Sequence, residues 1–304
     1  MKKSMMQNTI SRSLRILSRV CFVLPLAMLL VTSCGPKKKV ENNTILVSIE
    51  PLRYVTEYLV GGNFNVESIT PREATPETYA PTVQQIKAID ECLAFVRVGS
   101  LGFENTQIRK VTDNSPHLYI INAAANTKKL PMCDHDHGDE HHGGEDPHIW
   151  MSPRNMKIIA LNVYKQLCYL DQKNAEAYKE RLLKFSNEMN ELDSLTHEKL
   201  DTCKNKAFLI NHPALGHYAC QYNLIQISME HDGKEPSPKQ LEAVLERCRT
   251  HGVKKIFAQE QHSDKGVKRV AEELGVEVHY INPLSYNWKE EVERITQILR
   301  QQCC

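Results

Sequence analysis

The segment TILVSIEPLRYVTEYLVGG, residues 44–62, carries the pattern that decides the fold. Its first seven residues are mostly apolar and β-branched and lie between polar neighbours, which is typical of a buried strand. The next stretch opens with Pro51 and closes at Gly61-Gly62, and this arrangement favours a short helix over 51–60. The segment therefore predicts a strand followed directly by a helix.

The same alternation recurs along the rest of the chain. Further strands are predicted at 64–70, 93–98, 117–121, 207–210, 223–228, 255–259 and 276–281, and further helices at 81–89, 213–221, 238–250 and 264–274. Strands that alternate with helices predict α/β units built around a mostly parallel sheet.

A long amphipathic helix is predicted at 171–200, between the two series of strands. The side chains of one face recur at spacings of 3 and 4 residues, as a helix that packs on a core requires. They are Tyr178, Leu182, Phe185, Met189, Leu192 and Thr196. The predicted fold class is therefore α/β, with two lobes, each a mostly parallel sheet flanked by helices, joined by one long interdomain helix. The predicted bounds are 44–170 and 203–304 for the lobes and 171–202 for the linking helix.

The first residues of the chain have the order of an export signal. A basic start is followed by the apolar run Val20–Val31, and the run ends in Val31-Thr32-Ser33-Cys34. These four residues resemble the bacterial lipobox, whose cysteine becomes the lipidated first residue. We predict a lipoprotein signal peptide at 1–33, lipidation of Cys34 and a solvated tether at 34–43. A short membrane anchor with an incidental cysteine is the alternative.

Composition narrows the class of function. The chain has 304 residues, 41% of them hydrophobic and 25% charged, which is ordinary for a globular protein. Its formal net charge of +1 argues against a nucleic-acid partner, because such a partner normally requires a basic face. No pair of cysteines has the CxxC spacing, so a zinc ribbon is not indicated.

Residues 133–148, CDHDHGDEHHGGEDPH, concentrate histidine and carboxylate. Imidazole suits zinc, copper, nickel and iron, so the tract indicates metal binding. Its glycines do not preorganise a coordination sphere. We therefore predict that the His-rich loop at 133–146 collects metal weakly through the auxiliary ligands His135, His137, His141 and His142. A solvated polar loop without a metal role is the alternative.

Two other histidines lie in stiffer surroundings. His148 stands in DPHIWMSP, and His212 stands in NHPALG directly after the strand at 207–210. A tight metal site needs fixed ligands in a shaped surrounding. Ligands of open α/β sheets lie beyond the carboxyl ends of the strands. Those ends carry Glu50, the 71–81 loop, His212, Glu260 and Asn282.

DPHIWMSP and NHPALGHYA resemble two ligand motifs of the solute-binding proteins of zinc and manganese ABC importers, the ZnuA/TroA type or metal-binding adhesin family. The segment Gly233–Pro238 is similar to a further signature of that family. The resemblance spans about 44–300. It implies two lobes bridged by a long helix, metal in the cleft between them, and ligand roles for His148 and His212.

The chain departs from the family pattern at two positions. Glu77, in Thr75-Pro76-Glu77-Thr78-Tyr79, stands where the family has its first histidine ligand, and Asn282 stands where it has a late aspartate. Carboxylate oxygen binds zinc, so we predict Glu77 as a ligand. Glu260 and Asn282 are weaker candidates. Zn²⁺ is the expected ion, with Mn²⁺ or Fe²⁺ as alternatives.

The resemblance implies a binding protein rather than an enzyme. We expect a monomer of the periplasmic cell envelope, lipid-anchored to a membrane, that captures zinc and delivers it to the permease of an ABC importer. A metalloenzyme with a two-His/one-Glu site is one alternative, although no HExxH helix, nucleophile elbow or phosphate loop is present. An adhesin-like lipoprotein with incidental metal is the other.

Overall fold

The computed structural model describes residues 43–130, 144–230 and 236–301. The strands are β1 (Thr44–Val47), β2 (Asn65–Ser68), β3 (Ala94–Arg97), β4 (Tyr119–Asn122), β5 (Ala207–Ile210), β6 (Ile225–Ser228), β7 (Ile256–Gln259) and β8 (Val278–Ile281). The helices are α1 (Glu50–Val60), α2 (Val83–Glu91), α3 (Arg109–Thr112), α4 (Pro153–Leu170), α5 (Ala175–Leu200), α6 (Gly216–Gln221), α7 (Pro238–Thr250), α8 (Lys265–Leu274) and α9 (Trp288–Arg300).

The strands form two four-stranded parallel sheets with the same topology. Their orders are β2-β1-β3-β4 and β6-β5-β7-β8. In each sheet the strand order reverses at the central pair, and a ligand crevice forms outside the carboxyl ends of the strands at such a reversal. In the second sheet Ile210 of β5 pairs with Phe257 of β7, so the segments that follow these two strands start side by side. The predicted α/β fold class is confirmed.

The long helix α5 lies between the two sheets in sequence and carries the predicted apolar stripe. Five of the six predicted side chains are buried and Leu182 is half-buried against the same core. Each fully buried large apolar side chain contributes roughly 1.5–3 kcal/mol to stability. The helix begins at Ala175, because a 3-10 turn occupies Gln172–Asn174. Its main partners are α4 and α9.

One hydrophobic core reaches both sheets. It joins Phe95 of β3 and Phe185 of α5 with Phe208 of β5 and Trp288 of α9. A second, smaller core lies on the other face of the second sheet, under α7 and α8. Because the larger core is shared, separating the lobes would expose buried apolar surface, which is costly. The predicted bounds of lobes and linking helix stay a prediction.

Several elements differ from the sequence prediction. Helices α4 and α9 were missed, although Ser152 caps α4 by accepting a hydrogen bond from Asn155 N–H and Pro153 occupies its first turn. The strand predicted at 44–50 ends at Val47, and Glu50 is the buried first residue of α1. The helix predicted at 213–221 begins only at Gly216.

The predicted signal peptide, Cys34 and the four auxiliary histidines lie outside the described residues. Across the described ranges, no helix is both long and apolar enough to cross a membrane.

Candidate metal centre

Glu77, His148 and His212 each direct one ligand atom to a common point, and these three atoms lie within 4.8 Å of one another. His148 Nε2 is 2.9 Å from Glu77 Oε1 and 3.3 Å from His212 Nε2, and the third separation, His212 Nε2 to Glu77 Oε1, is 3.7 Å. Atoms bound tetrahedrally to zinc at its usual bond lengths lie about 3.3 Å apart. The three groups therefore have nearly the spacing of one face of a zinc site. We call them the metal centre.

Glu77 is held in the loop between β2 and α2. The neighbouring Tyr79 donates its hydroxyl to Ile69 O, 3.1 Å away, and its ring packs edge-on against Phe103. Gln85 of α2 donates to the same Ile69 carbonyl at 2.7 Å. These contacts fix a loop that has no regular structure of its own. They explain how a Pro-rich segment can present a carboxylate at a defined position.

His148 is oriented by Asp146, two residues before it. Asp146 Oδ1 accepts from His148 Nδ1 at 2.7 Å and from the His148 backbone N–H at 2.9 Å. Trp150 walls one side of the imidazole, with ring centroids 5.2 Å apart. A Cβ at Gly216 would overlap Asp146 Oδ2, so glycine is required there for the close approach of the carboxylate. The motif DPHIW therefore contains the ligand together with its orienting groups.

His212 follows β5 and is held by groups of the second sheet. Its Nδ1 donates to Glu230 Oε2 at 2.8 Å, and Gln259 at the end of β7 donates to its backbone carbonyl at 3.0 Å. Carboxylates on the Nδ1 atoms of both ligand histidines leave Nε2 as the metal-binding atom, an arrangement typical of metal sites. The centre thus combines two side chains from connections of the first sheet with one from the second.

Burial and hydrogen bonds between these groups shift their pKa values. Burial would lower the pKa of His148, but hydrogen bonds to Asp146 and Glu77 raise it to about 10. Burial lowers the pKa of His212, and contacts with Glu230 and Glu77 outweigh this and raise it. Burial would raise the pKa of Glu77, but its hydrogen bonds to both histidines hold it far below the usual value. The metal-free centre therefore holds a proton between Glu77 and the imidazoles.

This proton predicts how binding depends on pH. The pKa of His148 lies above its ordinary value, so below about pH 10 a metal ion must displace the proton, and lowering the pH lowers affinity. We expect zinc affinity to rise about tenfold per pH unit for each proton released. Calorimetry of zinc binding in buffers of different ionisation enthalpy measures that number of protons. Binding without proton release would contradict the protonated metal-free centre.

Glu77 has a further feature that suits a cation. Its Oε2 atom is buried and has no hydrogen-bond partner among the described residues. A buried carboxylate oxygen without a partner is costly, and a metal ion or a metal-bound water would relieve that cost.

Two predicted candidates lie apart from the centre. Glu260 is exposed and joins neither group of described side chains that could hold an ion. Asn282 Oδ1 accepts from Leu284 N–H at 3.0 Å, so its oxygen caps a local turn after β8. The structure brings Glu77, His148 and His212 together and leaves these two residues outside.

Sequence reasoning missed Glu230 and His262. Glu230 follows β6 and bridges His212 and His262, whose Nδ1 lies 3.1 Å from Glu230 Oε1. Both residues stand just beyond strand ends of the second sheet, where ligands are expected. That position was the available signal, but it led to Glu260 instead, two residues before His262.

Comparison with known proteins places the chain in a family. The family model of the periplasmic zinc-uptake complex component A, ZnuA, matches residues 45–303. The chain belongs to this family. The ZnuA family match covers both sheets and all three residues of the metal centre.

Individual members of the ZnuA family agree with this placement. A crystal structure of ZnuA superposes with a TM-score of 0.80 at 30% identity, covering 86% of this chain and 99% of that one. The high-affinity zinc uptake system protein ZnuA of Bacillus subtilis is 25% identical over 288 residues, 90% of each chain. The zinc-binding lipoprotein AdcA of Streptococcus pneumoniae is 27% identical over 290 residues, 88% of this chain and 55% of AdcA. The chain thus spans about half the length of its AdcA relatives.

Proposed function

We propose that this protein captures zinc at the metal centre formed by Glu77, His148 and His212 and delivers it to the permease of an ABC importer. The observation that carries the proposal is the convergence of the three ligand atoms within 4.8 Å, from connections of both sheets. The related ZnuA and AdcA proteins are named for zinc uptake and zinc binding. We expect this protein to be a binding component rather than an enzyme. We also expect it to be a monomer.

The chemistry of the centre favours zinc among the candidate ions. Two imidazoles and one carboxylate suit zinc, and the carboxylate also admits Mn²⁺ or Fe²⁺. Glu77 supplies negative charge directly, while Asp146 and Glu230 supply it behind the two imidazoles. A divalent ion in this largely buried position is therefore compensated by three carboxylates.

A competition titration tests the proposal. The protein is mixed with a chelating indicator of known affinity, and Zn²⁺, Mn²⁺ and Fe²⁺ are compared. One tight zinc site supports capture for import. Zinc binding of only micromolar strength or weaker would favour the adhesin-like alternative. Turnover of hydrolysable substrates by the zinc-loaded protein would favour the metalloenzyme.

Release to a permease is proposed to involve loops rather than wide separation of the lobes. The shared core and α5 oppose such separation. The loop that carries Glu77 contacts the segment after β7: Thr75 Oγ1 donates to Gln261 O at 3.3 Å, and Gln261 Nε2 donates to Arg72 O at 3.1 Å. These few contacts border the centre. Docking that breaks them would withdraw Glu77 from the ion.

The His-rich loop is proposed to be auxiliary, which gives a prediction. Deleting residues 134–144 removes the four auxiliary histidines but none of the metal centre. We expect the number of zinc ions bound per chain to fall while one tight site remains, as measured by titration with a chelating indicator. Loss of the tight site would mean that the loop itself is the site.

Attachment to the membrane through lipid on Cys34 is likewise a proposal, supported by the basic, apolar and Val-Thr-Ser-Cys order. One AdcA relative is named a lipoprotein. We expect Cys34→Ala to abolish lipidation and signal processing. Mass spectrometry of the mature protein from its own host measures this, and an unmodified Cys34 there would refute it.

A further inference from the structure

His262 is an imidazole next to the metal centre, but it is not one of the three converging ligands. It follows β7, and its ring stacks on that of His212 with centroids 4.1 Å apart and an interplanar angle of 15°. Its side chain is only 12% exposed. His212, Glu230 and His262 each offer one ligand atom within 4.8 Å of the others. A second set of metal-ligating groups therefore shares His212 with the centre.

One carboxylate orients both stacked rings. Glu230 Oε2 accepts from His212 Nδ1 at 2.8 Å, and Glu230 Oε1 accepts from His262 Nδ1 at 3.1 Å. Because an ionised carboxylate can only accept, each ring carries its proton on Nδ1 when neutral and keeps the Nε2 lone pair. His262 thus has the tautomer of a metal ligand.

The centre is one protein ligand short of the four that enclosed zinc usually takes. Zinc that is fully enclosed by protein is almost always four-coordinate, and three ligands converge here. Asn282, at the position of the family aspartate, has its oxygen engaged by Leu284 N–H. The ring of His262 lies one stacking distance from a ring that already points Nε2 at the centre.

The segment that carries His262 is also linked to the segment that carries Glu77. Gln261, its immediate neighbour, donates to Arg72 O and accepts from Thr75 Oγ1. An inward movement of the Glu77 loop onto an ion would therefore draw the segment after β7 in the same direction.

We propose that His262 is the fourth protein ligand of the zinc-loaded centre, binding through Nε2 while Glu230 holds its Nδ1–H. This inference rests on the proposed zinc capture. It makes Glu230 the common orienting group of two zinc ligands. An imidazole from the segment after β7 then takes the place of the carboxylate that the family has after its last strand. This increases the nitrogen character of the site and its preference for zinc over manganese.

The test compares the full chain with His262→Phe, loaded with less than one equivalent of zinc so that only the tightest site fills. Phenylalanine keeps a ring stacked on His212 and removes both nitrogens. His117→Phe is the matched control, because His117 precedes β4 at the opposite ends of the strands and its side chain is 63% exposed. X-ray absorption at the zinc edge counts imidazole ligands, and competition titration gives affinity. The spectrum of bound Co²⁺ reports coordination geometry.

We expect three imidazoles in the wild type and in His117→Phe, and two in His262→Phe. We also expect His262→Phe to lose affinity by at least about tenfold and to alter the Co²⁺ spectrum. An unchanged imidazole count overturns the proposal, whether or not affinity falls, because a fall alone would make His262 only a brace for Glu230. Failure of zinc capture itself is separate: it would appear as weak zinc binding in the wild type that His148→Ala leaves unchanged.

Discussion

Zinc affinity should fall by at least about tenfold, or about 1.4 kcal/mol, when either His148 or His212 is replaced by alanine. Each imidazole supplies one of the three converging ligand atoms, and each is buried. Water in the vacated position cannot restore a zinc–nitrogen bond that a carboxylate on Nδ1 orients. Competition titration with a chelating indicator gives the affinity of each variant. His279→Ala is a matched control, because His279 lies on β8 and contacts Lys255 rather than the centre.

The two variants should differ in the stability of the metal-free protein. His148→Ala leaves Asp146, a buried carboxylate, without the imidazole that contributes most to lowering its pKa. The backbone N–H of residue 148 still donates to Asp146, but losing one partner of a buried charged group costs about 1–3 kcal/mol. Glu230 keeps His262 as a partner in His212→Ala, so that loss should be smaller. Thermal unfolding without metal measures the difference, and unchanged zinc affinity in either variant would reject the centre.

The sequence predicted the fold because local patterns agree with the tertiary structure. The strand at β1 and the stripe on α5 are read from alternation and from helical spacing, and the structure buries those side chains. Helices α4 and α9 were missed for different reasons. The start of α4 overlaps the ligand motif DPHIWMSP, so one stretch of sequence carries two signals. In α9 the apolar residues Val292, Ile295 and Leu299 recur at helical spacing, which is a signal the prediction left out.

The site was harder to predict because its side chains are far apart in sequence and come together only in the folded chain. His148 and His212 stand in motifs that contain their own rigid surroundings, so the sequence pointed to them. Glu230 and His262 stand in no such motif, and only the pairing of β5 with β6 and β7 brings them to His212. Asn282 was predicted as a ligand from its place in the sequence, but in the structure its side-chain oxygen caps a turn.

We expect Glu77 to supply the negative charge that contacts the ion and to determine how well the centre distinguishes zinc from manganese. Glu77→Gln keeps the size of the side chain and removes its charge, so the ion loses its only direct anionic ligand among the described residues of the centre. We expect zinc affinity to fall by about tenfold or more at about pH 8. Glu77→His restores a strong zinc ligand and should largely preserve zinc binding while weakening binding of manganese.

The loss in Glu77→Gln should also grow with pH, which separates a ligand from a distant charge. Glu77 raises the pKa of both His148 and His212, so removing it also reduces the competition from protons. At low pH this gain offsets part of the lost carboxylate bond, and the offset shrinks as the pH rises and the imidazoles lose their protons in both proteins. Titrations at several pH values measure this trend, with Glu67→Gln, an exposed carboxylate on β2, as the control. Equal zinc affinity of wild type and Glu77→Gln at every pH, or a zinc-bound structure with the carboxylate well beyond about 2.2 Å from the ion, would refute the assignment.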